Sequence, residues 1–440
     1  MSDWAKVELS ELLTLVIDHR GKTPKKMGFD DFFSKGYPVL SAKHIKNGDL
    51  VNLDNLRYGN NEMYKKWMKE EVKKEDIILT SEAPLGETYY IDNDQKYILG
   101  QRVFGLRVNK EKVVPKYLEI WLSSLKGQQE LFKRASGSTV QGIKQTELLK
   151  ITVDIPPLEI QEKIATIGDS LSKKIKLNTQ TNQTLEQIAQ AIFKHWFIDF
   201  APVHAKANAL ARGETIEQAE LAAMACLSGK TVDKITALKA QDPTAYQQLQ
   251  QTAAAFPSEF VETEMGLVPK GWEWLKIENI ISRLKNKQKI NKNNISDIGN
   301  IPVFEQGQNI LMGYHSDNPA FIATPQDPIF IFGDHTCMTH ISTKPFSIYQ
   351  NVIPIKGKDI PTLWVYLAVK DKQKFQEYRR HWMEFIIKEI CLPNRDLIEH
   401  FVELVTHLFE KKDAIYEQNK ILRKVRDELL PKLLSGEIEL

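Results

Sequence analysis

The chain has 440 residues, 42% of them hydrophobic, and 59 Lys and Arg against 57 Asp and Glu. That length supports two or three domains with cores of their own, while a net charge of +2 excludes a partner held by bulk electrostatics alone. No apolar run reaches the about 18 residues of a membrane span, and Cys226, Cys337 and Cys391 stand far apart, so a cytoplasmic protein without disulfides or structural zinc is expected.

The first globular segment is expected over 1–154. Strand-like YPVL (37–40) runs into a polar loop. DHRGKTPKK (18–26) gathers Arg20, Lys22, Lys25 and Lys26, and SAKHIKNG (41–48) carries Lys43, His44 and Lys46. Loops at strand ends are where recognition chemistry concentrates, and these side chains reach phosphates and base edges, although solvated loops of this composition are also common without function. Glu71-Val72-Lys73 has the E-x-K form of nucleases, but it lies inside MKEEVKKED, a charge run that reads as a solvated face.

Asp154-Ile155-Pro156-Pro157 nearly spells the Asp-Pro-Pro-aromatic motif with which DNA amino-methyltransferases grip a base. Ile155 splits the motif, Leu158 replaces the aromatic, and no G-x-G-x-x-G follows a strand-like run. A helix start is the better reading: Pro157 suits the first turn, and Glu159 and Glu162 suit the positive end of the dipole. The helix is expected over 155–200, with a seam of Ile160, Ile164, Ile167, Leu171, Leu185, Ile188 and Ile192 that turns polar at Lys174, Asn178 and Thr181. Residues 201–265 are Ala-rich and read as a helical linker or insertion.

Beyond it the chain repeats itself. GWEWLKIENII (271–281) aligns on DWAKVELSELL (3–13), IPVF (301–304) on YPVL, and IPTLWVYL (360–367) on VPKYLEIWL (114–122). PNRDLIEHFVELVTHL (393–408) aligns on PPLEIQEKIATIGDSL (156–171) at a constant offset of 237. A second globular segment is therefore expected over 266–390, with RLKNKQKINKNN (283–294) as its basic loop. In GDHTCMTH, His335, Cys337 and His340 lack a second ligand pair at zinc spacing, so a loop is expected rather than a metal centre. A second helix over 391–440 carries Leu397, Phe401, Leu404, Leu408, Ile415, Leu422, Val425 and Leu429, with polar Lys411 and Gln418 at mid-length. About 38 residues give a rod on the order of 55 Å, and its natural mate is the other helix of the same chain.

RGKTPKK, YPVLSAKHIKNG, DIILTSEAPLGE, LGQRVFGLR (99–107), IPPLEIQEKI, FPSEFVETEMGLVPKGW (256–272) and the ending LLPKLLSGEIEL (429–440), in this order, resemble the specificity subunits of type I restriction-modification systems over nearly the whole chain. The resemblance implies an α+β chain: two similar α/β target-recognition domains joined by two long antiparallel coiled-coil helices with pseudo-twofold symmetry. It implies a non-catalytic partner of double-stranded DNA, of two modification (methyltransferase) subunits and of restriction subunits. S-adenosylmethionine, ATP and Mg would reside on those partners, with no cofactor or metal on this chain and no membrane contact. By carry-over, DNA would be met by Lys22, Lys25, Lys43, His44, Ser81, Glu82, Gln101 and Arg102, with Arg20 and Lys26 beside them, and by Lys287, Lys289, Gln306, His335 and Thr336 in the second half. Two other readings stand beside this one: a self-contained DNA methyltransferase or nuclease, and a coiled-coil scaffold that never touches DNA. The 201–260 segment is longer than the family's usual link, and LPNRDLIEHF departs from its Pro-Pro-Leu-x-x-Gln junction.

Overall fold

The computed structural model describes residues 4–440 apart from 287, 289, 297, 298, 308 and 309. It forms two compact units, Met1–Leu177 with Gln418–Leu440, and Asn178–Glu417. These units cut across the five expected segments, because each long helix contributes one part to each unit. The reason is that the helix ends belong to globular cores.

In the first unit, Leu13–Asp18, Val103–Val108, Ile77–Ser81 and Leu85–Tyr90 form a four-stranded antiparallel sheet in that order. Every residue of Ile77–Ser81 is buried. Ile77 and Leu79 face a core with Trp121 and Ile164, whereas Ile78 faces another with Trp67 and Ile98. A strand covered on both faces loses the polar alternation of a half-exposed one, and this accounts for the continuous apolar run in the sequence. A smaller sheet places Tyr37–Leu40 between antiparallel Arg57–Gly59 and parallel Ile98–Leu99. Ala5–Glu8 pairs with Thr152–Ile155 and closes the unit.

The second unit repeats this plan strand for strand. Its four-stranded sheet runs Ile281–Arg283, Val352–Gly357, Ile329–Gly333 and Thr339–Ser342. Its small sheet sets Ile301–Phe304 between antiparallel Leu311–His315 and parallel Ser347–Ile348, and Glu273–Lys276 pairs with Glu389–Leu392. The central strand again divides its side chains, Phe330 and Phe332 to one core and Ile329 and Ile331 to the other. Of residues 201–265, expected to be helical, 201–255 fold as helices Ala201–Ala211, Ile216–Ser228, Val232–Gln241 and Pro243–Ala255, whereas the end of the segment enters a hairpin of Phe260–Thr263 and Gly266–Pro269.

The long helices are Leu158–Phe197 and Arg395–Leu434. Gln161, fully buried, fixes the first start: its amide donates to the Pro156 carbonyl at 2.8 Å and its side-chain oxygen accepts from the Val114 amide at 2.8 Å. Asn394 caps the second, accepting from the Leu397 amide at 2.9 Å. The helices are antiparallel in both units. In the first, Leu430 lies against Gly168 and the Asn419 amide donates to the Ile175 carbonyl at 3.2 Å. In the second, Glu186 ion-pairs with Lys412, and the Phe193 and Phe401 rings are 5.6 Å apart.

The seam corrects the expected stripe by one residue at alternate layers. Ile188, Leu404 and Val425 are 42%, 48% and 42% exposed, and Lys174 and Lys411 are also exposed. Their places are taken by Ala189, Val405, Arg426, Ile175 and Lys412, and Gln161 and Gly168 stand in for Ile160 and Ile167. Ile164, Leu185, Leu397 and Phe401 are buried, while Ile160, Ile167, Leu171, Ile192, Leu408, Ile415, Leu422 and Leu429 are half-buried. Two of these inward residues, Gly168 and Ala189, are smaller than the isoleucine expected one position earlier. At Gly168 a Cβ would lie 2.7 Å from Ile120. Each helix ends in a core: Leu433 and Leu434 in the first unit, and their 237-residue counterparts Trp196 and Phe197 in the second.

Candidate nucleic-acid interface

The first unit gathers four separate stretches at one edge of its main sheet. The Gly100 amide donates to the Leu40 carbonyl at 2.7 Å, the Ser81 amide to the Arg102 carbonyl at 2.9 Å, and the Ile143 amide to the Ser81 carbonyl at 2.9 Å. Arg102 takes a φ of +65°, a conformation uncommon for a residue with a side chain, and this directs its exposed guanidinium to Glu82, with Nε 3.0 Å from Oε1. Between Ser136 and Gly142, which exchange backbone hydrogen bonds of 2.8 and 2.9 Å, an exposed polar loop of Ser138, Thr139, Val140 and Gln141 stands beside Glu82.

Not every expected residue is free to reach outward. Arg20 holds Asp18 with two 2.8 Å bonds, donates to the Ile143 carbonyl at 3.2 Å and lies 4.0 Å over the Phe104 ring. Burial would raise the Asp18 carboxyl, but Arg20 outweighs it and the net shift is downward. Lys22 donates to the Trp67 carbonyl at 2.5 Å and Lys26 to the Gly21 carbonyl at 3.0 Å. His44 is 2% exposed and accepts the Ser41 amide on Nδ1 at 3.1 Å; burial, helped by Lys43, pushes its pKa down to about 4. Ser81 is 1% exposed. His44 and Ser81 are therefore corrected from contact residues to framework, because neither side chain reaches the surface. Arg20 and Lys22 are likewise committed within the unit. Lys25, Lys43, Gln101 and Arg102 are exposed, and Glu82 is half-exposed.

The second unit builds the same edge with the same backbone bonds. The Tyr349 amide donates to the Phe304 carbonyl at 2.8 Å, Asp334 to Asn351 at 3.0 Å, and His381 to Asp334 at 2.8 Å. Asn351 repeats the positive φ of Arg102, at +60°. Gln306, His335 and Thr336 come together here: Gln306 accepts from the His335 amide at 2.9 Å, and the His335 ring meets Tyr378 edge-on at 4.8 Å. The Asp334 carboxylate accepts the His381 and Trp382 amides at 3.1 and 3.0 Å and so fixes the segment that carries Tyr378 and Arg380, which are 73% and 80% exposed. Lys287 and Lys289 lie outside the described residues.

The loop at 138–141 and the pair Tyr378 and Arg380 were missed in the sequence. SGSTVQG, a run of small polar residues without periodicity, and EYRRHW, an aromatic among arginines, are the signals that could have found them. Among the described residues no three His, Cys, Asp or Glu side chains are grouped to hold a metal, and Glu71 is ion-paired with Lys96 at 3.2 Å on the surface. No helix among them is long and apolar enough to cross a membrane.

Residues 1–187 match the family model for the type I restriction modification DNA specificity domain. The chain is 32% identical to the type I restriction enzyme HindI specificity subunit of Haemophilus influenzae, with both chains covered in full. It is 23% identical to the MjaIX specificity subunit of Methanocaldococcus jannaschii, over 95% of this chain and 90% of the relative. A crystal structure of the S subunit from M. genitalium aligns over 98% of this chain and 96% of its own, at 15% identity and a TM-score of 0.49.

Proposed function

The chain belongs to the specificity subunits of type I restriction-modification systems, and from that premise we propose that its two units each read one half of a split DNA target through the edges described above. The observation that carries this reading is the duplication: two edges with equivalent backbone bonds at equivalent positions but different side chains. Such a design holds geometry constant while the reading groups change. Arg102, Gln101 and Lys43 in the first unit, and Arg380, Gln306 and Tyr378 in the second, are of the types that pair with guanine, pair with adenine, hold phosphate or stack on a base.

The chain supplies recognition and no catalytic group. Adenine methylation from S-adenosylmethionine belongs to two modification subunits, and ATP- and Mg-dependent cleavage belongs to restriction subunits, all assembled on it in the cytoplasm. The paired long helices act as the spacer whose length sets the unread gap. Footprinting the complex of this chain and its modification subunits on DNA tests the reading. Two protected patches separated by an unprotected gap are expected; a single continuous patch contradicts it. Methylation or metal-dependent cutting by the purified chain alone contradicts the non-catalytic role.

A further inference from the structure

Lys372 in the second unit is half-buried just beyond the helix Thr362–Val369, and no carboxylate among the described residues ion-pairs with it or with Lys388 near it. Burial and, after it, the Lys388 ammonium both push the Lys372 pKa down.

The first unit shows what is missing. There the closing strand Thr152–Ile155 places Asp154, and Lys126 ion-pairs with it. The equivalent strand Glu389–Leu392 carries Cys391 at the same point, 237 residues on. Cys391 and Lys372 line one apolar cavity of about 130 Å³, whose walls include Phe193, Phe197, Phe200 and Trp274. A second hollow of about 240 Å³ shares Phe193 and Lys372 with it. The other two lysines there are already engaged, Lys194 with Asp199 and Lys370 with Glu186. Exposed Ile198 lines both hollows. An apolar cavity of about 150 Å³ admits one benzene ring, so the smaller hollow has room for one compact apolar side chain.

We propose that this pocket docks a segment of a partner protein that presents an aromatic or leucine side chain next to a carboxylate. The apolar side chain fills the cavity. The carboxylate pairs with Lys372 and supplies from outside the negative charge that Asp154 supplies to Lys126 from within the first unit. Charge complementarity selects an acidic segment over a basic one, because Lys388 adds its positive charge to that of Lys372.

Ligand-detected NMR on the full chain with doubly capped Phe-Asp, Phe-Asn and Phe-Lys dipeptides tests this. Phe-Asp should bind about tenfold more tightly than its near-isostere Phe-Asn, and Lys372→Met should abolish the difference. Lys372→Glu should turn the preference toward Phe-Lys. Equal binding of Phe-Asp and Phe-Asn, no saturable binding of either, or an unchanged preference in Lys372→Met would overturn the proposal. So would saturable binding of 3-phenylpropionate without binding of Phe-Asp, since the pocket would then be one for a small carboxylate.

Discussion

The two units share a scaffold and differ in finish. Both use a doubly covered central strand, a three-stranded side sheet with one parallel pair, and a residue at positive φ beside the strand end. At the edge itself the first unit presents a small polar loop and a Glu82–Arg102 pair, whereas the second presents Tyr378 and Arg380 on a segment held by Asp334. Backbone bonds are indifferent to side-chain identity, so the frame is preserved where the exposed side chains diverge. The helix seam differs too: Ile175 and Asn419 meet in the first unit, and Glu186 and Lys412 in the second.

Removing the helix ends should break the two units separately, and with the largest effects. Phe197→Ala should cost the second unit about 4 kcal/mol and Leu433→Ala the first about 3 kcal/mol, as buried large-to-small changes do. Chemical denaturation followed by hydrogen exchange in each unit would detect this, and a loss spread equally over both would show that the ends are not separate core pieces.

Glu186 gives the next test. Burial raises its carboxyl, but Lys412 and Lys370 outweigh burial and hold it well below the ordinary range. A carboxyl whose folded pKa is depressed stabilises above its unfolded pKa and loses that contribution as pH falls toward the folded value. The second unit should therefore weaken on acidification below about pH 4.5, near the ordinary glutamate pKa. Glu186→Gln should remove this part of the pH dependence and cost about 3 kcal/mol at neutral pH by leaving two ammoniums uncompensated. Urea titrations of both proteins across pH 3 to 7 would read it, and parallel curves would contradict the account.

The seam position yields a smaller contrast. Ala189→Leu should overpack and cost about 2 kcal/mol, while exposed Ile188→Ser should change stability by less than about 0.5 kcal/mol. The reverse order of the two losses would restore the stripe expected from hydrophobicity.

Much of this was legible in the sequence because repetition carries more information than any single pattern. YPVL and IPVF are equivalent strands, and the 237-residue offset holds from Thr152–Ile155 and Glu389–Leu392 into the helix ends. The seam was harder to place, since Ile188 and Leu404 are bulkier apolar residues than the buried Ala189 and Val405 that displace them. The interface was legible only in part. Lysine-rich loops advertise charge, but sequence does not reveal that Arg20 is spent on Asp18 or that His44 is buried. Nor does SGSTVQG or EYRRHW announce that long-range backbone bonds bring it beside residues 82 and 335.

On the proposed function, each edge reads its own half of the target. Co-expressing the chain with its modification subunit in a methylation-free host, and mapping modified adenines genome-wide for wild type, Arg102→Ala and Arg380→Ala, tests it most directly. A split motif is predicted, with each variant losing about tenfold discrimination in one half only, and a different half for each. An unsplit or random pattern, or both variants altering the same half, would contradict it.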